Sequence, residues 1–486
     1  MAPDSSTALT DALDRATDTA AAAVGRGALA ESGRLIAAHL GDGPHLIVAD
    51  ENTWAIAGEQ LAASLREAGC ELAEPLIFPG EPVLYASVEN SKVIEEAMES
   101  LDTPARSSQA LGARSGAARS SQALGTRSGA VARSSQAPEP PVTPIALGSG
   151  TIHDLVKLAA FEVGRDYACV GTAASMDGYT GAGAPITENG VKATRNCKAP
   201  VVVIMDLDVV AAAPSAMTAS GYGDLVAKIP GGADWILADY TDVEPIDPDV
   251  WDMVQSGVTT ALSRPADLAA GNADAFDGLV EGLCLSGLAM QAYDGTRPAS
   301  GAEHYFAHLW EIEGLGAEST PPLSHGFKVA VGSLAMCAFY EALLARDLSA
   351  IDLPAVAAAR APWDEIEADI RSRFDGALAE HAVRETRTKY AAGDDLAARL
   401  QPLLNQWPAA AQRLRAQLVT MAELSEMLRL AGAPSRPEDI GLTPRDVRDM
   451  FPKAMYYRSR YTALDVAWEL GIFDELVAEV FDHIWT

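Results

Sequence analysis

Two kinds of apolar pattern divide the chain. Up to about residue 213, short aliphatic runs closed by Gly, Pro or Asp alternate with helical patterns, which is typical of strands covered on both faces. A helix is predicted from about Thr53 to Ala68, and residues 1–42 are Ala-rich with helical spacing. The alternation predicts a parallel sheet with crossover helices, which binds ligands at the carboxyl ends of its strands. The aliphatic runs are HLIVAD at 45–50, EPLIFPG, PIALGSG, YACVGTA and APVVVIMDLDVV.

From about Pro214 onward the strand patterns end, and long helical patterns such as FKVAVGSLAMCAFYEALLA follow. The predicted fold class is therefore α/β plus all-α, with a Rossmann-like parallel-sheet domain over residues 1–213 and an all-helical domain over residues 214–486. A cleft between two such domains is the default place for a binding site.

A low-complexity segment interrupts the first half. ARSSQALG-type repeats occupy residues 105–137 and are followed by PEPP, so the whole insertion covers about 105–141. Three short copies without aromatic residues cannot bury a core, which predicts a disordered surface insertion. A partner-binding arm is the functional alternative.

Composition narrows the function classes. The chain has 36 Lys and Arg against 67 Asp and Glu, a net charge of −31, which repels nucleic acids and anionic membranes. The five cysteines are scattered and form no Cys-x-x-Cys pair, which fits a reducing cytoplasm. Neither a secretory leader nor a membrane span is predicted.

Two Gly-rich turns follow predicted strands. GSGTIHD at 148–154 opens a helix, and GTAASMDGYTGAGAP covers 171–185. Such turns let main-chain N–H groups approach a pyrophosphate, although glycine also serves ordinary loops. Asp50 ends HLIVAD and is a candidate for binding an adenosine ribose, with a turn-forming aspartate as the alternative. The candidate dinucleotide-binding residues are Asp50, Gly148, Ser149, Gly150, Thr151, Ile152, His153, Asp154, Thr172, Ala173, Ala174 and Ser175.

One aspartate and three histidines form the metal-site hypothesis. Asp224, His304 and His325 supply the oxygen and nitrogen donors that suit Zn²⁺ with an open coordination position. His304 and His308 are four residues apart and share a helix face, and His325 is predicted in the first turn of the next helix. Helix capping by Asp224 and satisfied core histidines are the structural alternatives.

The motifs GSGTIHD, TAASMDGYT, GYGDLVAK, RPASGAEHYFAH and LSHG, in that order, resemble those of the sn-glycerol-1-phosphate dehydrogenases, with the AraM-type branch closest. These enzymes are similar to iron-containing alcohol dehydrogenases, glycerol dehydrogenase and dehydroquinate synthase. The resemblance covers about 30–104 and 142–475. It implies a dehydroquinate synthase-like fold, a role in phospholipid metabolism and a homodimer.

The resemblance also implies residue roles. Asp224, His304 and His325 bind Zn²⁺ or Ni²⁺, His308 and Asp177 contact the substrate, and the two turns hold NAD or NADP. Four features depart from the family pattern: His153 in place of Asn, Gly181 in place of Ser, the Gly231-Gly232 pair and the repeat insertion. None of them removes a metal ligand.

The implied reaction is reversible reduction of dihydroxyacetone phosphate to sn-glycerol 1-phosphate, with polarisation of the C2 carbonyl by the metal. Lys228, Arg297 and Lys328 are candidates for binding the substrate phosphate, and a solvated helix face is the alternative for each. Three rival functions remain: a glycerol dehydrogenase, a dehydroquinate synthase-like sugar-phosphate cyclase, and a non-catalytic dinucleotide-binding or assembly protein.

Overall fold

The computed structural model describes residues 7–102, 140–188 and 191–485, so the Arg/Ser repeat and its predicted disorder lie outside the described residues. The strands are β1 (Ala21–Gly25), β2 (His45–Asp50), β3 (Leu76–Phe78), β4 (Thr143–Gly148), β5 (Ala168–Gly171), β6 (Ala184–Glu188), β7 (Val191–Arg195) and β8 (Val202–Asp206). Six of them form one parallel sheet in the order β1-β8-β5-β4-β2-β3. The antiparallel pair β6-β7 stands apart.

The register of the sheet brings the ends of the central strands together. Gly148, the last residue of β4, is paired with Gly171 of β5, which is paired with Met205 of β8. Val48 of β2 is paired with Ala146, so Asp50 ends level with Gly148. Both Gly-rich turns therefore leave neighbouring strands at the same carboxyl edge, where parallel sheets bind ligands.

The helices of the first half pack around this sheet, and the helix predicted from about Thr53 to Ala68 is present as two α-helical pieces joined by a π-helical turn at Trp54–Gly58. The helices are α1 (Thr7–Leu13), α2 (Ala28–Leu40), α3 (Glu51–Thr53), α4 (Glu59–Glu67), α5 (Val88–Asp102), α6 (Gly150–Glu162) and α7 (Leu207–Ala211).

One prediction for this half is wrong. Helical spacing indicated helix throughout residues 1–42, but Ala21–Gly25 is strand β1, paired in parallel with β8 along its whole length. Alanine favours helices when a segment is isolated. Here the ladder of hydrogen bonds to β8 and burial of Ala21, Ala22 and Val24 outweigh that preference.

Beyond Ala211, the described residues contain helices and no strand, which confirms the α/β plus all-α fold class. The helices are α8 (Ser215–Leu225), α9 (Lys228–Tyr240), α10 (Pro248–Ala261), α11 (Pro265–Ala269), α12 (Phe276–Tyr293), α13 (Ala302–Ile312), α14 (His325–Leu344), α15 (Leu353–Ala359), α16 (Trp363–Arg373), α17 (Gly376–Lys389), α18 (Gly393–Asn405), α19 (Trp407–Gln417), α20 (Met421–Ala431), α21 (Pro444–Tyr457), α22 (Ala463–Glu469) and α23 (Phe473–Glu479).

Helix α14 is the centre of the helical half. Its 20 residues are apolar enough to cross a membrane by length and composition, yet 83% of its most hydrophobic window is buried inside the protein. Its side chains pack with those of α9, α13 and α21 in one continuous core. Helix α14 is therefore explained as a core helix.

Glycines allow α8 to touch both halves of the molecule. A Cβ on Gly221 would lie 2.0 Å from the carbonyl oxygen of Ala174, and one on Gly326 would lie 1.9 Å from that of Ser220. A Cβ on Gly223 would lie 2.4 Å from the carbonyl oxygen of Gly326. Only glycine permits such backbone contacts. The glycines of GYGD and SHG thus allow α8 to pack closely between the turn after β5 and the start of α14.

Candidate metal centre

Asp224 lies near the end of α8, with only 1% of the residue exposed. Its Oδ2 accepts a hydrogen bond of 2.9 Å from the main-chain N–H of Asp177. Within the described part of the chain, its Oδ1 is buried without a hydrogen-bond partner. The side chain does not cap a helix, so the capping alternative is excluded. A buried carboxylate oxygen that lacks a hydrogen-bond donor is suited to bind a cation.

The two predicted histidine ligands face this carboxylate, and each is held by a glutamate. His304 is in the first turn of α13 and His325 is the first residue of α14. His304 Nε2 is 3.5 Å from Asp224 Oδ1, and His304 Nδ1 is 2.9 Å from Glu303 Oε1. His325 Nδ1 is 2.9 Å from Glu311 Oε1. The other ring nitrogen, Nε2, is therefore the one each imidazole offers to a metal.

These three side chains fit a divalent metal ion. Asp224, His304 and His325 each offer a ligand atom, and the three atoms lie within 4.8 Å of one another. One carboxylate and two imidazoles are a donor set that zinc and nickel accept, and a carboxylate on the far nitrogen of a ligating imidazole is a frequent companion of such sites. The structure brings together the ligand set predicted from the sequence.

Three more polar side chains border the cluster. The ring centroids of His308 and His325 are 5.5 Å apart, and those of His308 and His304 are 6.0 Å apart. Lys228 Nζ donates to Asp177 Oδ2 at 2.8 Å and lies 4.0 Å from Asp224 Oδ1. Both residues predicted to contact substrate, His308 and Asp177, therefore lie beside the candidate ligands.

The charges of the cluster stabilise one another. Burial alone would raise the pKa of Asp224, but the Lys228 cation and the nearby His304 imidazole lower that pKa below its ordinary value. Burial opposes the charge on Lys228, while Asp177 and Asp224 raise its pKa overall. The Lys228 cation therefore lies between two carboxyl groups, at 2.8 Å from Asp177 and 4.0 Å from Asp224.

The pKa values of His304 and His308 are shifted in opposite directions. Burial lowers the pKa of His304, yet the adjacent carboxylates of Asp224 and Glu303 raise that pKa to about 9. For His308, burial is the largest cause, and repulsion from His325 and His304 adds to it, so its pKa is lowered to about 4 despite Glu311. His308 is therefore a neutral imidazole near pH 7.

The predicted dinucleotide-binding turns lie at the carboxyl edge of the sheet. Ser149, Gly150 and Thr151 are partly exposed where β4 passes into α6, and Ser175 is partly exposed after β5. Thr172 N–H donates to the carbonyl of Gly148 at 3.1 Å, which joins the two turns. A helix N-terminus beside main-chain N–H groups is suited to a pyrophosphate.

Other predicted cofactor residues are buried, with side chains turned inward: Ile152, His153, Asp154, Thr172, Ala173 and Ala174. His153 Nε2 lies 3.1 Å from the Tyr167 hydroxyl, so its side chain packs inside the domain and only its main chain faces the turn. Asp50 Oδ1 accepts from Thr53 N–H at 2.8 Å in a capping box. Asp50 therefore has the local structural role given as the alternative. It also lies level with Gly148 at the edge where the dinucleotide is predicted to bind.

The structure adds three residues that the sequence did not single out. Glu303 and Glu311 hold the two candidate imidazoles. Lys157 Nζ donates to the carbonyls of Gly178, Gly181 and Gly183, which joins the loop after β5 to α6. The available signals were weak. Glu303 directly precedes His304, and Glu311 follows His308 by one helical turn.

The three candidate phosphate-binding cations occupy different settings. Lys228 is completely buried against Asp177, and buried Arg297 donates to the carbonyls of Tyr461 and Asp234. Neither lies on a solvated helix face. Lys328 is buried as well, so it does not lie on a solvated face either, and its Nζ donates to the carbonyl of Leu323 at 2.8 Å, one turn along α14 from His325.

The Gly231-Gly232 pair does not loosen α9, because every residue from Lys228 to Ala238 in that helix is buried. A Cβ on Gly301 would lie 2.8 Å from Gly231 Cα and 2.8 Å from Glu303 Oε2. Glycines 231 and 301 therefore permit a close approach of α9 to the start of α13. That approach encloses Glu303 behind His304.

Comparisons with known proteins agree with this architecture. A family model described as iron-containing alcohol dehydrogenase matches residues 119–214. The chain is 40% identical over 203 residues to the glycerol-1-phosphate dehydrogenase [NAD(P)+] of Bacillus subtilis, covering 42% of this chain and 51% of that protein. It is 33% identical over 192 residues to the enzyme of the same name from Pyrococcus horikoshii, covering 40% and 54%.

The chain thus spans about half the length of the curated relatives it matches. Among solved structures, it is similar to a probable glycerol dehydrogenase from Sinorhizobium meliloti, with a TM-score of 0.55, 14% identity and coverage of 96% and 98%. The iron-containing alcohol dehydrogenase from Thermococcus thioreducens gives a TM-score of 0.55 at 14% identity, with coverage of 96% and 99%. The fold and the resemblance inferred from the motifs are confirmed.

Proposed function

We propose that this chain, which resembles the glycerol-1-phosphate dehydrogenases and has the fold of the iron-containing alcohol dehydrogenases, catalyses metal-dependent, NAD(P)H-linked reduction of dihydroxyacetone phosphate to sn-glycerol 1-phosphate. The observation that carries the proposal is the cluster of Asp224, His304 and His325, whose ligand atoms lie within 4.8 Å of one another beside the turn after β5. Zinc or nickel is the proposed ion, because both accept this donor set.

An ion held by Asp224, His304 and His325 supplies a Lewis acid for the oxygen of a ketone or alcohol. The protein supplies the geometry. Asp224 is fixed through its Oδ2 by Asp177 N–H, and the two imidazoles are fixed through Nδ1 by Glu303 and Glu311. These contacts hold the three ligands in place before substrate arrives, which is the main requirement for preorganised catalysis.

Asp177 and His308 are proposed to bind the polar groups of the substrate. Asp177 Oδ2 accepts from Lys228 Nζ and from Ser286 Oγ, each at 2.8 Å, which fixes the carboxylate beside the ligand cluster. About 15% of the Asp177 side chain remains exposed. His308 is neutral, so its imidazole can either donate to or accept from a substrate hydroxyl. Both side chains then orient the substrate and hold its hydroxyl protons.

The carboxyl edge of the sheet is proposed to bind NAD or NADP. Residues 148–151 and Ser175 offer main-chain and hydroxyl groups on neighbouring turns, and the N-terminus of the 13-residue helix α6 points to the same edge. The loop after β5 continues directly to Asp177, whose N–H binds Asp224. The segment that would bind the dinucleotide would therefore also hold Asp224, one of the proposed ligands of the ion. A cytoplasmic homodimer is part of the same proposal.

The experiment is a comparison of ketone substrates with the zinc-loaded and nickel-loaded protein. We expect oxidation of NADH or NADPH with dihydroxyacetone phosphate and a much lower kcat/KM with dihydroxyacetone. The opposite preference would favour a glycerol dehydrogenase, a name carried by one of the similar solved structures. No net oxidation with either ketone would contradict a dehydrogenase. Turnover of a sugar phosphate without net oxidation would then favour a cyclase, and no turnover would favour an assembly protein.

A further inference from the structure

One carboxylate lies between two of the imidazoles of the cluster. Glu311 is in the last turn of α13, three residues after His308, and faces the start of α14. Its Oε1 is 2.9 Å from His325 Nδ1, and its Oε2 is 3.5 Å from His308 Nδ1. The Glu311 side chain is only 9% exposed. Both of its oxygens are therefore directed at imidazole nitrogens.

The second glutamate of the cluster has a simpler arrangement. Glu303 Oε1 accepts from Gly301 N–H at 2.5 Å and lies 2.9 Å from His304 Nδ1. Glu303 thus contacts one imidazole, that of His304. Glu311 contacts two, and these two have different proposed roles: His325 binds the ion and His308 binds the substrate. The rings of His308 and His325 are stacked, with centroids 5.5 Å apart and planes inclined by 28°.

Rotation of an imidazole about its Cβ–Cγ bond is only weakly restricted, so an isolated histidine does not fix where its Nε2 points. A hydrogen bond from Nδ1 to a carboxylate fixes both the rotation and the tautomer. Loss of the Glu311 carboxylate would remove the 2.9 Å hydrogen bond of His325 and the 3.5 Å contact of His308 together.

We propose that Glu311 is a positioning residue that orients a metal-ligating imidazole and a substrate-binding imidazole with one carboxylate. The orientation of His325 toward the ion is then tied to the orientation of His308 toward the substrate. The part concerning His325 stands on the donor cluster alone, and the part concerning His308 rests on the proposed function.

The same atoms also permit another arrangement. His308, Glu311 and His325 offer three ligand atoms within 4.8 Å, enough to suggest a second ion. The 2.9 Å separation between His325 Nδ1 and Glu311 Oε1 is a hydrogen-bond distance, which favours the anchoring role. Metal stoichiometry distinguishes the two arrangements.

The first test uses the full chain with Glu311→Gln and, as a matched control, Glu313→Gln. Glu313 is on the same helix end but pairs with Lys453 at the surface. After metal removal, zinc affinity is measured by competition with a chromophoric chelator, and bound metal is counted by elemental analysis. We expect about 10–100-fold weaker zinc binding for Glu311→Gln, which is typical when a carboxylate that orients a metal-binding histidine is lost. No change is expected for Glu313→Gln. Circular dichroism of the metal-free variants confirms that both are folded.

The second test separates the two imidazoles at saturating zinc. We expect Glu311→Gln to lower kcat/KM for dihydroxyacetone phosphate by about tenfold or more, and to have less than about a twofold effect when His308→Ala is already present. In that background its effect on zinc affinity, which acts through His325, should persist.

Unchanged zinc affinity in folded Glu311→Gln, equal kinetic losses in both backgrounds, or two ions per wild-type chain would overturn the inference and leave the proposed function standing. A wild-type chain that binds no divalent ion would overturn both.

Discussion

The main-chain N–H of Asp177 donates a 2.9 Å hydrogen bond to Oδ2 of Asp224. This contact joins the loop that follows β5 to α8, the helix that carries Asp224. A residue proposed to bind substrate therefore holds a residue proposed to bind the ion. On the proposed function, this one peptide group would link the orientation of the substrate to the geometry of the metal site.

Asp224→Asn should remove metal binding while keeping the fold. The amide oxygen of asparagine can still accept from Asp177 N–H, but the negative charge that attracts the ion is lost. We expect zinc affinity to fall by about 100-fold or more, at least the upper range seen when a group that only supports a metal ligand is lost. Chelator competition measures it, and Asp249→Asn, in an exposed pair with Arg15, serves as the control. Retained affinity in Asp224→Asn would argue against this ligand set.

Lys228→Met should destabilise the metal-free protein. Lys228 is fully buried, and its removal would leave Asp177 and Asp224 without their cation. Loss of one partner from a buried ion pair costs about 3–5 kcal/mol in free energy of unfolding. Urea unfolding measures the change. Lys453→Met removes an exposed partner of Glu313 and should cost less than about 1 kcal/mol. Equal effects of the two substitutions would contradict the buried network.

Gly301→Ala should be destabilising where Gly257→Ala is not. A Cβ at 301 would lie 2.5 Å from Asp234 Oδ2 and 2.8 Å from Gly231 Cα, whereas one at 257 meets nothing within 4 Å. Overpacking of this kind costs about 1–3 kcal/mol, while alanine in an open helical position gains up to about 1 kcal/mol. Thermal unfolding in the metal-free state tests the difference. A lower Tm for Gly257→Ala than for Gly301→Ala would contradict the close approach of α9 and α13.

Lys328→Ala tests whether the substrate phosphate is bound beside His325. All three candidate cations donate to protein groups, and Lys328 is the one that lies on α14, one turn from His325. Loss of a hydrogen bond to a charged group costs about 1.5–3 kcal/mol, so kcat/KM for dihydroxyacetone phosphate should fall by about 10–100-fold. The value for dihydroxyacetone should hardly change. A parallel loss with both ketones would dismiss Lys328 as the phosphate anchor.

Most of the sheet could be predicted because its strands are short aliphatic runs with clear ends. The runs at 45–50 and around 144–148 coincide with β2 and β4 almost residue for residue. Strand β1 was missed because AAAVG has no such signature, and its conformation depends on β8, some 180 positions away. Local patterns do not report a pairing of that range.

The site shows the same division between local and distant information. The motifs were enough to predict that Asp224, His304 and His325 lie together, and in the structure their ligand atoms are within 4.8 Å of one another. Glu303 and Glu311 were missed because acidic residues on helices are usually solvated. The contact of Glu303 with His304 lies within α13, and that of Glu311 with His325 depends on the packing of α13 on α14. Gly231 gave a misleading signal. Its backbone packs closely against Gly301, and the sequence of α9 alone does not reveal a contact with another helix.

The central claim is that one divalent ion on Asp224, His304 and His325 supports stereospecific ketone reduction. The most direct measurement is a chiral analysis of the glycerol phosphate formed from NADH and dihydroxyacetone phosphate, with the metal content determined on the same sample. The account predicts the sn-1 enantiomer, one zinc or nickel per chain, and loss of both product and metal in His304→Ala. The sn-3 enantiomer, or full turnover by a chain free of divalent metal, would contradict it.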